Sequence, residues 1–240
     1  MRIICISDTH GLHSQMRYKV ENFIDKNRDN ILIHAGDGTN IGSEKDIRDF
    51  VWWFQNIKGF DSKIFIAGNH DWGFQKKEPW LYNYINDENL SQSDCAYLED
   101  SSFTIIDPNV QKPIKFYGSP WQPVFFNWAF NVQRDELHKY WEKIPLDVDV
   151  LITHGPAHGI LDIPERDTVS QGCVSLAEHI VKIKPKIHIC GHIHSGRNLV
   201  EKNGTIHINA SICTESYRPI NKPIVIDYDF QTNKWDLVDM

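Results

Sequence analysis

A chain of 240 residues with 41% hydrophobic and 24% charged content can bury a substantial core and is too apolar to be a disordered segment. Its net charge of -7, with no basic stripe, argues against a long nucleic acid as partner and leaves room for a small anion bound through cations. Five cysteines, odd in number and without a CxxC pair, suggest neither a disulfide framework nor a thiolate zinc site, and no segment approaches a membrane span; the expected location is the cytoplasm and the expected organisation one domain over 1–240.

The first apolar run, "RIICIS" at 2–7, reads as a strand and stops at "SDTH", with Asp8 and His10. A helical pattern is expected from Met16 to Ile24, then a second strand, "NILIHAG" at 30–36, which stops at "GDGTN" and Asp37. After Ser43 the stripe Ile47, Phe50, Val51, Phe54 and Ile57 marks an amphipathic helix ending at Gly59. The strand "KIFIAG" at 63–68 leads into "GNHD", with Asn69, His70 and Asp71. An aromatic insert follows between Ser119 and Arg134, with Trp121, Phe125, Phe126, Trp128 and Phe130, and then a helical pattern from Leu137 to Ile144. The strand "DVLIT" at 149–153 ends at "THGP" and His154, a helix runs from Val174 to Val181, and "KIHIC" at 186–190 ends at "GHIH", with His192 and His194.

Strands alternating with helices indicate a mostly parallel sheet, in which ligands gather at the carboxyl ends of the strands. All five polar clusters would share one rim. Each alone has a bland explanation: an Asp after a strand is usually a turn former or a cap, and the two histidines of a His-x-His share one side of a strand whether or not they bind anything. Five strand ends carrying Asp, Asn and His are much harder to obtain from turn chemistry. The donor set mixes oxygen and nitrogen without thiolate, which suits two divalent transition-metal ions better than Ca or Mg; Mn leads, with Fe, Zn, Ni and Co as the other candidates. The donors are too many for one tetrahedral ion and enough for two ions sharing a carboxylate.

In this order, D-x-H, GD, GNHD, a middle His and GHxH resemble the signature of the calcineurin-like metallophosphoesterases. The resemblance implies an α/β fold with two facing sheets between helices, a four-layer α-β-β-α sandwich. It implies that Asp8, His10 and His194 hold one metal, that Asn69, His154 and His192 hold the other, and that Asp37 bridges them. His70 matches the family's catalytic histidine, beside the scissile phosphate. The segments "YGSPWQPVFFNWAFN", "LITHGPAHGILD" and "INASICTESYRPINKPIVIDYD" further resemble the MPPED branch, which includes cyclic-nucleotide phosphodiesterases.

Two divalent ions against the carboxylates of Asp8 and Asp37 leave a net positive cleft, which favours a phosphate or phosphodiester anion. The expected function is hydrolysis of small phosphodiesters, 3′,5′-cyclic nucleotides first, by a hydroxide bridging the metals, with His70 as general acid. The alternatives are a phosphomonoesterase or other small-diester hydrolase and, from another class, a nucleotide-binding or scaffold protein with little turnover. Trp121, Phe125, Phe126 and Trp128 are candidates to stack on a base, and Arg134, Tyr217 and Arg218 to hold phosphate or ribose; for any one ring, packing is the competing explanation. His34, His188 and His207 read as satisfied core or sheet histidines and Cys190 as a small buried hydrophobe. His13 and His158 are open between supporting a ligand and neither, and Asp71 between orienting His70 and capping a turn.

Overall fold

The computed structural model describes residues 1–85, 94–106 and 113–240. Alternation along β1 (Arg2–Ile6) sends Ile3 and Cys5 to one side and Ile4 and Ile6 to the other, and all four are fully buried. A strand covered on both faces belongs at the centre of a layered α/β fold. Beside it run β2 (Asn30–Ala35), β3 (Ser62–Ile66) and β4 (Cys95–Tyr97), all parallel, while β13 (Ile224–Asp229) and β14 (Lys234–Asp239) extend the other edge antiparallel. The order of this six-stranded sheet is β14-β13-β1-β2-β3-β4.

A second six-stranded sheet is built from β5 (Ser101–Ile106), β6 (Pro113–Ser119), β9 (Val150–Thr153), β10 (Ile187–Cys190), β11 (Asn198–Lys202) and β12 (Thr205–Asn209), while β7 (Gln122–Pro123) and β8 (Asn131–Val132) pair separately. The order of the larger sheet is β11-β12-β10-β9-β6-β5. Its inner strands are parallel and its edge pairs antiparallel. The single sheet suggested by strand and helix alternation is therefore two, as the family resemblance implied. Alternation alone cannot assign strands to sheets, because parallel strands in either sheet give the same pattern.

Three apolar clusters make the four layers. Ile3, Cys5, Ile31 and Ile33 meet Val150, Ile152, Ile187 and Ile189 between the sheets. On the outer face of the first sheet, Ile4, Leu32 and Phe65 pack on Ile47, Phe50, Val51 and Phe54 of the helix Glu44–Asn56. That helix starts where Ser43 and Asp46 form a reciprocal capping box, the Ser43 hydroxyl accepting from the Asp46 N–H and the Asp46 carboxylate from the Ser43 N–H. On the outer face of the second sheet, Tyr117 and Leu151 pack on Trp141, Leu176, Ile180 and Ile183, the last three from the helix Val174–Ile183.

One expected helix does not form and another is shorter than the sequence suggested. The stretch from Met16 to Ile24 is not α-helical: short 3₁₀ turns at His13–Gln15 and Val20–Phe23 flank an extended Met16. Nine residues with only Met16 and Val20 buried give too little packing to offset helix nucleation. Between Leu137 and Ile144 only His138–Trp141 is α-helical, anchored by the buried Trp141. Among the described residues no helix is long and apolar enough to cross a membrane.

Candidate metal centre

The five strand ends do reach one rim, although they come from both sheets. Beyond β1, Ser7 bridges to Ser211 just after β12, with its N–H on Ala210 and its carbonyl accepting from Ile212. The Gly191 N–H donates to the His154 carbonyl, and those of Asp8 and His10 donate to the carbonyls of Gly36 and Asp37. Asp8, His10, Asp37 and His192 all have positive φ, between 45° and 66°, a conformation that non-glycine residues adopt at a cost. Four such residues at one rim mark a place where side-chain direction overrides backbone preference. Gly68 and Gly191 are needed for close approach: a Cβ at Gly68 would strike the Asp37 carboxylate, and one at Gly191 would strike Ser7 and Asp8.

The side chains then converge. The donor atoms of Asp8, His10 and His194 lie within 4.8 Å of one another, as do those of Asp37, His154 and His192, and those of His10, Asp37 and His70. The Nε2 atoms of His10 and His194 are 3.2 Å apart. His154 Nε2 is 2.9 Å from Asn69 Oδ1 and 3.3 Å from Asp37 Oδ2, and His194 Nε2 is 3.4 Å from Asp8 Oδ1. These groups are buried or nearly so.

The far side of each ring is fixed by the backbone. Because a carbonyl only accepts, Nδ1 of His154 donates to Ala35 at 2.9 Å, Nδ1 of His194 to Thr214 at 3.0 Å and Nδ1 of His70 to Asn40 at 2.6 Å. In the neutral rings each Nε2 lone pair is thereby turned inward. Asp8 accepts from the hydroxyls of Ser7 and Ser211 and from the His192 N–H. Asn209 clamps the "GHIH" turn by donating to the carbonyls of Gly191 and Ile193. Sequence reasoning missed Ser7, Asn40, Asn209, Ser211 and Thr214, since nothing local distinguishes a serine or asparagine that acts on a loop elsewhere in the chain.

Charge follows from this packing. Burial works against ionising Asp8 and Asp37, yet the surrounding histidines, His194 for Asp8 and His154 for Asp37, hold both carboxyls well below the usual range. Burial works against a charged His154 or His194, but Asp37 and Asp8 respectively raise them to about 9. Burial lowers His10 to about 4 and His192 to about 3. The donor set therefore fits divalent cations. With its Nδ1 engaged by Ala35, His154 turns Nε2 toward two oxygen acceptors, an arrangement that requires positive charge at that edge, supplied by a proton or a metal ion.

His70 stands beside these clusters, its ring stacked on Trp128 at 4.1 Å and edge-on to His10 at 4.6 Å, while its backbone N–H donates to the Asp37 carboxylate. Asp71 does not touch that ring. Its carboxylate accepts from the N–H groups of Gly68, Thr39 and Gly38 and from the Thr39 hydroxyl, stapling the loops after β2 and β3 together.

The pocket over these groups is lined also by Phe125, Glu215 and Tyr217. Trp121 lies outside that lining, packed on Tyr140 and Phe130 with its indole N–H on Asp100. Arg134 donates to the carbonyls of Gly172 and Gln171, and Arg218 lines an adjoining cavity. His13 pairs with Asp49 and stacks on Trp53, and His158 is an exposed residue 3.9 Å from Asp162. His34 meets the Thr9 hydroxyl and Phe50; His188 meets the Thr153 hydroxyl and His207. These rings are buried structural groups.

A sequence profile described as calcineurin-like phosphoesterase matches residues 1–196. Metallophosphoesterase domain-containing protein 1 of Homo sapiens and of Mus musculus are each 37% identical over 247 residues, covering 94% of this chain and 70% of theirs. The crystal structure of phosphopantetheinyl hydrolase from Mycobacterium tuberculosis superposes with a TM-score of 0.55 at 16% identity, over 90% of both chains. That of 5′-nucleotidase from Candida albicans gives 0.56 at 14% identity, over 95% of this chain and 47% of the other. At such identities the structural likeness is one of fold.

Proposed function

The chain belongs to the calcineurin-like phosphoesterase family of metal-dependent phosphoester hydrolases, and from this premise we propose that it cleaves small phosphodiesters, 3′,5′-cyclic nucleotides first among them. The observation that carries the reading is the pair of donor clusters, Asp8 with His10 and His194 and Asp37 with His154 and His192, which meet at a pocket lined by His10, Asp37, His192 and His194 together with His70. In this proposal the first cluster holds one divalent ion, the second, joined by Asn69, holds the other, and Asp37 is shared. Mn is the favoured metal for a mixed nitrogen and oxygen set, with Fe, Zn, Ni or Co as alternatives. When bound, the ions supply positive charge for the phosphoryl oxygens and lower the pKa of a water.

The protein's own groups do the rest. His70 is the general acid: Asn40 engages its Nδ1, Trp128 backs its ring, and when protonated it offers Nε2–H to the leaving oxygen. Phe125 and Tyr217 narrow the mouth of the pocket, which at about 100 Å³ holds little beyond a phosphoryl group. Support for a nucleotide comes from Phe125, which lines the pocket and is 44% exposed, with the 79% exposed Phe126 edge-on beside it; either ring offers a face on which a base can stack. The five cysteines are free and buried, in keeping with a reducing compartment such as the cytoplasm.

The test is a panel of cyclic nucleotides, bis(p-nitrophenyl) phosphate and phosphomonoesters, assayed with Mn²⁺ and after metal removal. Metal-dependent turnover of the diesters, with cyclic nucleotides preferred, is the expected result. Faster turnover of monoesters would replace the diesterase reading with that of a phosphatase, and tight nucleotide binding without turnover would replace it with that of a binding protein.

A further inference from the structure

The metal pocket, at about 100 Å³, opens beside a larger cavity of about 500 Å³, and Glu215 lines both. A substrate larger than its phosphoryl group must place the remainder outside the first, and the second is the roomier neighbour. Its walls are polar. Glu165 and Arg166 come from one loop, and Thr214, Glu215, Ser216 and Arg218 from another.

The second wall is fixed relative to the metal centre. The Thr214 carbonyl accepts from His194 Nδ1, and the Ser195 N–H donates to the Glu215 carboxylate at 3.2 Å. The turn from 214 to 218 is closed by Tyr217 N–H on the Thr214 carbonyl and Thr214 N–H on that of Arg218, with Tyr217 at φ 55° and its ring 4.8 Å from His10. The backbone of Arg218 therefore has a set position relative to the metal donors.

The arginines here differ from most in the chain. Arg2, Arg28, Arg48, Arg134 and Arg197 are each engaged by a carboxylate or a carbonyl. The guanidiniums of Arg166 and Arg218 have no ion pair or side-chain hydrogen bond among the described residues, although Glu165 and Glu215 line the same cavity. Two unpaired guanidiniums present donors in the planar geometry that carboxylates and phosphates accept. Glu215, between them and the metal donors, accepts from hydroxyl groups.

We propose that Arg166 and Arg218 form an anion subsite for the non-scissile arm of an acyclic diester, so that among acyclic diesters those whose hydroxylated second arm ends in a carboxylate or phosphate are preferred. This rests on the hydrolase reading of the metal pocket and goes beyond the cyclic-nucleotide assignment, since a simple cyclic nucleotide has no second anion to offer these arginines.

The experiment uses three diesters with the same p-nitrophenol leaving group, whose second arm ends in a carboxylate, its methyl ester or an ammonium group. The readout is the ratio of kcat/KM values, so any common change in rate cancels. The wild type should favour the carboxylate over the methyl ester about two- to fivefold at low salt, the scale of exposed charge pairs. The preference should fall toward one in an Arg166→Ala, Arg218→Ala double variant and shrink with added salt. A wild-type ratio near one, a ratio that survives the double variant, or a preference for the ammonium arm would overturn the subsite while leaving the hydrolase intact. Failure to cleave any of the three would overturn the hydrolase reading, and the subsite with it.

Discussion

The ring of His70 lies flat against Trp128, 4.1 Å between centroids and 25° between planes, with its Nδ1 2.6 Å from the Asn40 carbonyl. A histidine held on one face and at one nitrogen is aimed with the other nitrogen. If that nitrogen is the general acid, His70→Gln should leave metal content near normal and lower turnover of an alkyl or ribosyl diester by about 10²- to 10⁴-fold. The loss should be smaller for p-nitrophenyl esters, whose leaving group departs without a proton. Equal losses on both would make His70 a phosphate binder.

Trp128→Leu should act through His70. It removes the wall and leaves the donor clusters untouched, so metal affinity should hold while kcat falls, by less than in His70→Gln, with the same dependence on leaving group. An unchanged kcat would show that Asn40 alone positions the ring.

Asp71 carries a different load. Its carboxylate accepts from three backbone N–H groups and one hydroxyl in a fully buried setting, and burial, with the charge of Asp37 nearby, pushes its pKa up to about 6 against those bonds. Asp71→Ala would strand these donors and should cost ~3 kcal/mol or more, at about 1–3 for each one left unsatisfied. Asp71→Asn keeps one acceptor oxygen and should fall between. Urea unfolding of the metal-stripped protein measures both; a cost under ~1 kcal/mol for Asp71→Ala would mean that the loops do not depend on this staple.

His34 sets a pH dependence. Burial lowers its pKa from 6.5 to about 3, so it stays neutral in the folded state where the unfolded chain takes up a proton. The unfolded state then binds more protons below pH 6.5, and stability is lost as pH falls from there toward about 3. In metal-stripped protein, His34→Gln should flatten the stability profile between pH 6.5 and 5 by up to about 1.4 kcal/mol per pH unit. An identical slope in the two proteins would contradict this origin.

The donor residues were legible in the sequence because each sits at the end of a strand that a short apolar run announces. Asp8, Asp37, Asn69, His154 and His192 stand out as candidates from the order of strands and the rule that ligands gather at carboxyl ends, while their division between two metal positions came from the family resemblance. The partners of those residues were not legible. Ser211 lies 203 positions from Asp8, and Ala35 lies 119 from His154. Such contacts come from sheet-to-sheet packing, which has no one-dimensional signature. The helix at Glu44–Asn56 was readable because stripe and capping box agree, whereas the pattern from Met16 to Ile24 lacked a surface to pack on. In the aromatic insert, Trp121 and Trp128 look alike in sequence, and only tertiary neighbours separate a ring on Tyr140 from a ring on His70.

In the proposed arrangement Asp37 serves both ions, so the two donor clusters should respond together. Stripping the metal, titrating Mn²⁺ back and recording bound metal and diester hydrolysis on the same sample should give about two ions per chain, with activity appearing only as they bind. Asp37→Ala should lose both ions and the activity at once. Full hydrolysis by verified metal-free protein, or an Asp37→Ala variant that keeps two ions and wild-type turnover, would contradict the account.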